Sequence, residues 1–302
     1  MRTIILSIQV DTLRTLDGVD PQLINDLYHS KSIPAERLNG NAPKFPHSAI
    51  ILKNGSQSVI ATLSGDSKTI NLLTKVQVGS IEPRNAEQSV FARQLMDPTI
   101  PINIGIGRAG TGKTLLALAA ALELTMGKDR IYDRILLCKP LHTVTGRNLG
   151  ALPGELKDKM DPYMQSYMDQ VEVILGARGK GWVKGMLFQG QLEFIPFEYM
   201  RGRSLRNSFI IGDELQNLDN HEMETFGSRL SEGSKLVLLG DLGQRDNLNH
   251  RKPGSRILLE HCGLNTMITS PHVQQSSLSS VCVLVKNERS DVSDLIYKVF
   301  NE

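Results

Sequence analysis

The sequence has 302 residues, of which 40% are hydrophobic and 22% are charged, so it can bury a full core and is expected to hold one large domain plus a smaller one. The formal net charge of +2 is too small to indicate a nucleic-acid-binding protein by itself. Three widely spaced cysteines argue against a disulfide framework or a zinc site, and no apolar window approaches the ~20 residues of a membrane span. We therefore expect a soluble, cytoplasmic protein that does not associate with a membrane.

Residues 1–82 are expected to form a small β-rich module. Short apolar runs at 49–52 and 58–63 are separated by turn formers such as Asn54-Gly55-Ser56. A short helix is predicted over Pro21–Tyr28.

From residue 83 to 302, apolar strand candidates alternate with helical patterns, including a helix over Ala86–Leu95. This alternation predicts an α/β domain with a RecA-like, mainly parallel sheet, and ligands gather beyond the carboxyl ends of such strands. The predicted strands are Ile102–Ile106, Arg134–Cys138, Leu192–Ile195, Phe209–Gly212, Lys235–Leu239 and Val281–Val285.

A phosphate-binding loop is predicted between the first of these strands and the helix that follows it. The stretch fits G-x-x-x-x-G-K-[ST] without a mismatch, and its glycines let backbone N–H groups wrap a phosphate at a helix N-terminus. Lys113 is expected to reach the β- and γ-phosphates, and Thr114 to hold Mg²⁺ through its hydroxyl. The predicted nucleotide-binding residues of this loop are Gly107, Arg108, Ala109, Gly110, Thr111, Gly112, Lys113 and Thr114.

Two later strand ends supply the polar groups that hydrolysis requires. After Phe209–Gly212, Asp213 is predicted to hold Mg²⁺ and Glu214 to polarise the attacking water. Gln244, which follows the next strand, is a weaker candidate for a sensor of the γ-phosphate, since an amide can donate to phosphate and accept from water.

The chain resembles the PhoH family of P-loop ATPases, and in particular the ATPase half of those members that carry a PIN nuclease domain in front. The matching stretches are Pro83–Gln88, the P-loop, Gly146–Gly154, Tyr199–Arg203, Asp213–Asn217, Gly240–Asp241 with Gln244, and Glu288–Ser290. The resemblance implies hydrolysis of ATP with Mg²⁺ on a core similar to that of superfamily 1 helicases, with RNA as the expected substrate.

The same resemblance assigns roles to further residues. Gln88 matches the family's adenine-contacting glutamine, the alternative being an ordinary polar residue on the helix Ala86–Leu95, and Asn85 is a second candidate for that role. Arg289 matches a late arginine that contacts the γ-phosphate. Arg201 and Arg203 are candidates for contacts with phosphate or nucleic acid, the alternative being local salt bridges in a solvated loop.

The sequence departs from the family pattern at three places. Gly212 stands where a bulky residue is common, which predicts looser packing near Asp213, and Arg245 stands where an apolar residue is common. The stretch Asp11-Thr12 is only a faint match to a nuclease motif, so no nuclease activity is predicted.

Residues 176–185 interleave three cations with Trp182 in a glycine-rich setting, which predicts a mobile loop. Stacking on an aromatic ring together with phosphate contacts is the usual way to bind single-stranded RNA or DNA. The alternative is an ordinary loop whose Trp182 packs into the core.

Other functions stay open at the level of sequence. A P-loop kinase is disfavoured because Asp213-Glu214 suits the activation of water and no acceptor pocket or lid is evident. A nucleotide-gated nucleic-acid-binding module with little turnover is the other alternative.

Superfamily 1 helicases bind ATP between two similar cores, and arginines of the second core complete the site. The expected assembly therefore depends on whether this chain has enough residues for a second core. Only 56 residues (302 minus 246) follow Asp246, which is fewer than the ~100 of an ordinary domain. We therefore expect identical subunits packed head to tail in a ring, of six by analogy with other single-core P-loop motors, with Arg201, Arg203 or Arg245 reaching the neighbour's γ-phosphate.

Overall fold

The computed structural model describes residues 12–140, 156–176, 179–200, 202–244, 259–288 and 299. The chain divides into two compact units. The first consists of Met1–Gln77, Glu82–Gly112 and Met267–Glu302, and the second of Val78–Ile81 and Lys113–Thr266. The predicted division into 1–82 and 83–302 stays a prediction. Within the described ranges, no helix is both long and apolar enough to cross a bilayer.

Eleven strands and eight α-helices are labelled here in chain order over the described residues. The strands are β1 (Leu13–Asp17), β2 (Ser32–Pro34), β3 (Ala49–Asn54), β4 (Gln57–Leu63), β5 (Thr69–Leu72), β6 (Ile102–Gly107), β7 (Arg134–Lys139), β8 (Leu192–Pro196), β9 (Ser208–Gly212), β10 (Lys235–Gly240) and β11 (Ser279–Leu284). The helices are α1 (Pro21–Ser30), α2 (Ala86–Met96), α3 (Lys113–Met126), α4 (Leu156–Leu175), α5 (Gly179–Phe188), α6 (Asn220–Gly227), α7 (Gly263–Thr269) and α8 (Pro271–Gln274).

The N-terminal module of the first unit is a mixed five-stranded sheet in the order β1-β3-β4-β5-β2. Strands β3 and β4 form an antiparallel hairpin, and β1 pairs in parallel with β3. Helix α1 begins after Asp20, whose carboxylate accepts a hydrogen bond from the backbone N–H of Gln22 at 2.9 Å, a typical N-cap. Leu27 of this helix, together with Ile50 and Ile70 of the sheet, is fully buried, so the helix covers one face of the sheet.

The remaining six strands, β6 to β11, pair in parallel within each unit. In the first unit, β11 pairs with β6 from Ser279 opposite Ile102 to Leu284 opposite Gly107, and α2 packs against both strands. In the second unit, the strand order is β10-β9-β7-β8, and all of these neighbours are parallel. Helix α3 packs against β7, β9 and β10 with a nearly continuous run of buried Leu and Ala side chains.

The predicted fold class is confirmed: an α/β core with a mainly parallel sheet is preceded by a small β-rich module. Each of the six predicted core strands lies within two residues of an observed one, and the predicted helices at 21–28 and 86–95 are present. The loop predicted over residues 176–185 is wrong for most of its length, since α5 occupies Gly179–Phe188. Val183 and Met186 bury one face of this helix, and that packing outweighs the low helix propensity of its glycines.

Candidate functional site

The loop after β6 has the backbone geometry of a phosphate cradle. Gly110 and Gly112 have φ angles of +86° and +87°, which L side chains rarely adopt. Thr111, between them, is buried, and its hydroxyl donates to the carbonyl oxygen of Arg108 at 2.9 Å. Ala109 is exposed. The turn is thus held in shape by its own hydrogen bond and its two left-handed glycines.

Gln88 supports this loop from helix α2. Asn85 caps the helix by accepting a hydrogen bond from the backbone N–H of Gln88 at 2.8 Å. The Gln88 amide accepts from the backbone N–H of Arg84 at 2.8 Å and donates to the carbonyl oxygen of Thr111 at 2.9 Å. A Cβ atom on Gly112 would lie only 2.8 Å from Gln88 Nε2. The predicted contact with adenine stays a prediction, because the structure engages this amide with the loop itself.

The segment after β11 contacts the same loop, which the sequence did not predict. The backbone N–H of Glu288 donates to the carbonyl oxygen of Gly110 at 2.9 Å. Its carboxylate accepts from Asn85 Nδ2 at 2.8 Å and from Lys286 Nζ at 3.0 Å, and these two bonds lower the pKa of Glu288. Arg289, the predicted γ-phosphate contact, follows directly and lies outside the described residues.

In the second unit, the predicted metal ligands lie next to each other. Thr114, in the first turn of α3, donates from Oγ1 to Asp213 Oδ2 at 3.2 Å. The Tyr167 hydroxyl donates to the same oxygen at 3.2 Å, and Asp213 Oδ1 accepts from the backbone N–H of Glu214 at 3.0 Å. Hydroxyl and carboxylate oxygens are the hard ligands that Mg²⁺ prefers, so this pair fits the ion that the sequence predicted.

Burial at this point disfavours the charged forms of Asp213 and Lys113, and neighbouring opposite charges offset part of that effect. Burial, followed by the charge of Glu214, raises the pKa of Asp213, while the Lys139 and Lys113 ammonium groups oppose that rise. Burial lowers the pKa of Lys113, against the opposing effect of the carboxylates of Asp213, Asp241 and Glu214. A phosphate near Lys113 and a divalent cation near Asp213 would each favour the charged form of its neighbour.

Glu214 has an unusual backbone conformation for its residue type. Its φ and ψ angles of +59° and +31° are left-handed, which costs about 1–2 kcal/mol for a residue other than glycine. Strain of this kind tends to persist where function requires it. The side chain is fixed by Gln216 Nε2, which donates to Glu214 Oε2 at 2.7 Å.

The predicted sensor Gln244 takes part in the site through its main chain. Its carbonyl oxygen accepts from Gln216 Nε2 at 3.0 Å, while the residue is exposed overall. Gln216 lies within the Asp213–Asn217 family motif, but the sequence predicted no role for it. Its position in the sequence could have indicated this role, because a short turn two residues after Glu214 brings the Gln216 amide back to the end of the strand.

Of the three candidate arginine fingers, the structure describes one. Arg203 forms a bidentate pair with Glu193, with distances of 2.6 Å and 2.8 Å, which is the local salt bridge that the sequence left as the alternative. Its role as a finger stays a prediction. Arg201 and Arg245 lie outside the described residues, as does the 146–154 motif.

Trp182 is half exposed on helix α5, with 51% of its surface accessible, so it does not pack into the core. Phe188, at the end of the same helix, is 93% exposed. Lys184 is exposed and precedes Phe188 by four residues, so the two share one face of the helix. Trp182 and Lys184, two of the side chains predicted for nucleic-acid contact, are therefore accessible, but on a helix and not in a loop, whereas Arg178 and the side chain of Lys180 lie outside the described residues.

The expectation of loose packing at Gly212 is wrong. A Cβ atom there would lie 2.7 Å from Leu215 Cδ1 and 2.7 Å from Phe226 Cε1, so these two side chains already fill the space. Because residue 212 has no side chain, Leu215 of the following turn and Phe226 of helix α6 can pack directly against the end of β9. The segment before Asp213 is consequently close-packed.

A sequence profile of the PhoH family, described as PhoH-like protein, matches residues 80–281. Protein PhoH2 of Mycolicibacterium smegmatis is 34% identical over 248 residues, which cover 82% of this chain and 56% of the relative. Protein PhoH2 of Bacillus subtilis is 32% identical over 285 residues, covering 92% of this chain and 61% of the relative. The chain therefore spans between one half and two thirds of the length of these curated relatives.

Among solved structures, a Pif1 helicase from Candida albicans aligns with a TM-score of 0.37 and 16% identity over 72% of this chain and 43% of that one. A Pif1 helicase from Bacteroides in complex with ADP-AlF3 and ssDNA aligns with a TM-score of 0.36 and 13% identity, over 74% of this chain and 46% of that one.

We predict that Gly212→Ala lowers the free energy of unfolding by about 1–3 kcal/mol, because the added methyl group overpacks the space between Leu215 and Phe226. Urea denaturation measures the change. Gly227→Ala is the matched control: its Cβ meets nothing within 4 Å, and alanine at the end of helix α6 is neutral or stabilising. A Gly212→Ala protein as stable as the parent would contradict the close packing described for this segment.

Proposed function

Because the chain belongs to the PhoH family, we propose that it hydrolyses ATP in a Mg²⁺-dependent reaction and couples hydrolysis to the binding or remodelling of single-stranded RNA. The observation that carries the proposal is the buried cluster at the end of β9. There Thr114 and Asp213 are in contact, and Glu214 is held beside them by Gln216. Of the three functions left open by the sequence, hydrolysis is the one that requires both carboxylates.

The P-loop residues supply nucleotide binding. The backbone N–H groups around Gly110 and Gly112 suit the β-phosphate, and the N-terminus of helix α3 adds partial positive charge. Lys113 follows Gly112 directly in the chain and would pair with the β- and γ-phosphates. Its burial favours this role, since a desolvated ammonium gains most from an anionic ligand.

Thr114 and Asp213 would hold Mg²⁺, as their hard oxygen atoms and their 3.2 Å contact allow. When bound, the ion would supply positive charge that offsets the charge developing on the phosphate groups. Tyr167 donates to the same oxygen, Asp213 Oδ2, and so restrains the carboxylate independently of any ligand.

Glu214 would act as the general base that orients the attacking water and accepts its proton. Asp213 is engaged at one oxygen by two hydroxyl groups and at the other by a backbone N–H. Glu214 is therefore the better placed of the two carboxylates to receive a proton from water. Gln216 fixes the direction of its side chain.

RNA binding is proposed on helix α5, where exposed Trp182 and Phe188 offer stacking surfaces and Lys184 offers a cation. Base stacking on aromatic rings combined with phosphate contacts is tolerant of sequence. An overall charge of +2 implies that such binding is weak and local.

We further propose a head-to-tail homo-oligomeric ring, with six subunits as the working number, in which an arginine completes the neighbour's site. Among the described residues, the cations whose charges lower the pKa of Asp213 are Lys139 and Lys113, and neither is an arginine. Because Arg203 is paired with Glu193, Arg201 and Arg245 become the preferred fingers.

The first functional prediction is that the protein releases phosphate from ATP only when Mg²⁺ is present. Lys113→Ala is expected to weaken ATP binding and abolish turnover. Glu214→Gln is expected to keep ATP bound but to lower kcat by about 10²–10⁴-fold, since the general base is lost. Steady-state phosphate release, with and without EDTA, measures both.

The matched controls are Lys128→Ala and Glu232→Gln, which make the same changes at exposed side chains. Both are expected to retain the parent's rate. A Glu214→Gln protein that hydrolyses ATP at the parent's rate would remove Glu214 from the catalytic role.

The second functional prediction is weak, salt-dependent binding of a single-stranded uridine oligonucleotide, because each phosphate that is neutralised releases counterions. Filter binding at two salt concentrations measures it. The double variant Trp182→Ala/Phe188→Ala should lose most of the retention, while Tyr28→Ala removes an exposed aromatic ring from the N-terminal module and should keep it. Absence of retention at low salt, with and without ATP, would exclude the proposal.

The third functional prediction concerns shared sites. Arg201→Ala or Arg245→Ala is expected to lower kcat by about 10³–10⁵-fold, as the loss of a finger supplied in trans does. Mixing either variant with Lys113→Ala subunits should restore part of the activity, because some interfaces then combine an intact loop with an intact finger. Light scattering that shows a monomer with full ATPase activity would contradict the ring.

A further inference from the structure

Gln216 is the second residue after Glu214, in the 3₁₀ turn Leu215–Asn217 that follows β9. Only 1% of its surface is exposed. Its carbonyl oxygen accepts a hydrogen bond from Cys262 Sγ at 3.4 Å, which holds the turn from behind. The residue is therefore part of a fixed turn and not a surface side chain that happens to reach the site.

The Gln216 side chain makes three hydrogen bonds, all to residues that follow strands β9 and β10. Nε2 donates to Glu214 Oε2 at 2.7 Å and to the carbonyl oxygen of Gln244 at 3.0 Å. Oε1 accepts from the backbone N–H of Asp241 at 3.1 Å. A Cβ atom on Gly240 would lie 2.8 Å from that same oxygen, so the glycine permits the approach.

We propose that Gln216 is a positioning residue that fixes the carboxylate of Glu214 and couples it to the chain after β10. The inference rests on the proposed hydrolysis of ATP with Glu214 as the base. A glutamate side chain has three rotatable bonds, and its left-handed backbone takes it out of the regular strand geometry. A charge-assisted hydrogen bond of 2.7 Å is strong enough to select one of its rotamers.

The same NH₂ group serves Glu214 and Gln244. A displacement of the Gln244 main chain would therefore move or release the donor that holds the Glu214 carboxylate. Through this shared donor, the position of the segment after β10 determines whether the base points in its working direction. Gln244 then acts through its backbone carbonyl, and its side chain need not contact the γ-phosphate for the site to sense this segment.

Two variants of Gln216 distinguish the effect of its donated hydrogen bonds from the effect of its side-chain shape. Gln216→Met keeps the length of the side chain and removes all three hydrogen bonds. Gln216→Glu keeps an acceptor for Asp241 but places an acceptor where Glu214 and Gln244 require a donor. Both are expected to lower kcat for ATP hydrolysis by about 10²-fold, the effect of a misplaced catalytic group, with KM for ATP unchanged.

A double-mutant cycle distinguishes positioning from a general structural role. In the Glu214→Gln background, adding Gln216→Met should cause no further loss of kcat, because the group that it positions is already gone. Gln94→Met is the matched control, since it alters another buried glutamine, whose Nε2 donates to the carbonyl oxygen of His47, and it should retain kcat.

Binding of a fluorescent ATP analogue verifies that each variant is folded. If Gln216→Met does not bind the analogue, Gln216→Glu, which keeps the shape and the bond to Asp241, decides the outcome. A parent protein that releases no phosphate would overturn the proposed function and this inference together. An active parent whose Gln216→Met and Gln216→Glu variants keep its kcat, or whose losses add to that of Glu214→Gln, would overturn the inference alone.

Discussion

The buried carboxylate of Asp213 is the constraint around which the second unit is arranged. A carboxylate without water must be compensated by hydrogen bonds and opposite charges, and here two hydroxyl groups, one backbone N–H and two lysines supply them. These partners come from separate elements, since Thr114 lies in α3, Tyr167 in α4 and Lys139 at the end of β7. Each element is therefore held to the strand end by the same requirement.

Much of the fold follows from local sequence pattern. The six core strands are short apolar runs bounded by polar residues, and a glycine-rich loop between the first run and a Leu/Ala-rich segment fixes the order strand, loop, helix. Because carboxyl ends of parallel strands share an edge, the placement of Asp213, Glu214 and Gln244 close together also follows from sequence. Their proximity is confirmed by the bonds that Gln216 makes to Glu214 and Gln244.

The remainder depends on tertiary contacts that no local pattern encodes. The glycines of α5 predict a loop, but the burial of Val183 and Met186 stabilises a helix there. Gly212 predicts loose packing only when Phe226, fourteen positions later in the chain, is left out of account. Glu288 contacts Gly110 and Asn85 across a sequence separation of more than 170 residues, so its support of the P-loop is visible only in the folded chain.

The left-handed conformation of Glu214 has a consequence for how this position changes over evolutionary time. Glycine adopts that conformation without strain, and asparagine does so more easily than glutamate. Backbone conformation alone would therefore favour another residue here, and the bond from Gln216 offsets part of that cost. At residue 214, backbone stability and the proposed chemistry therefore favour different amino acids.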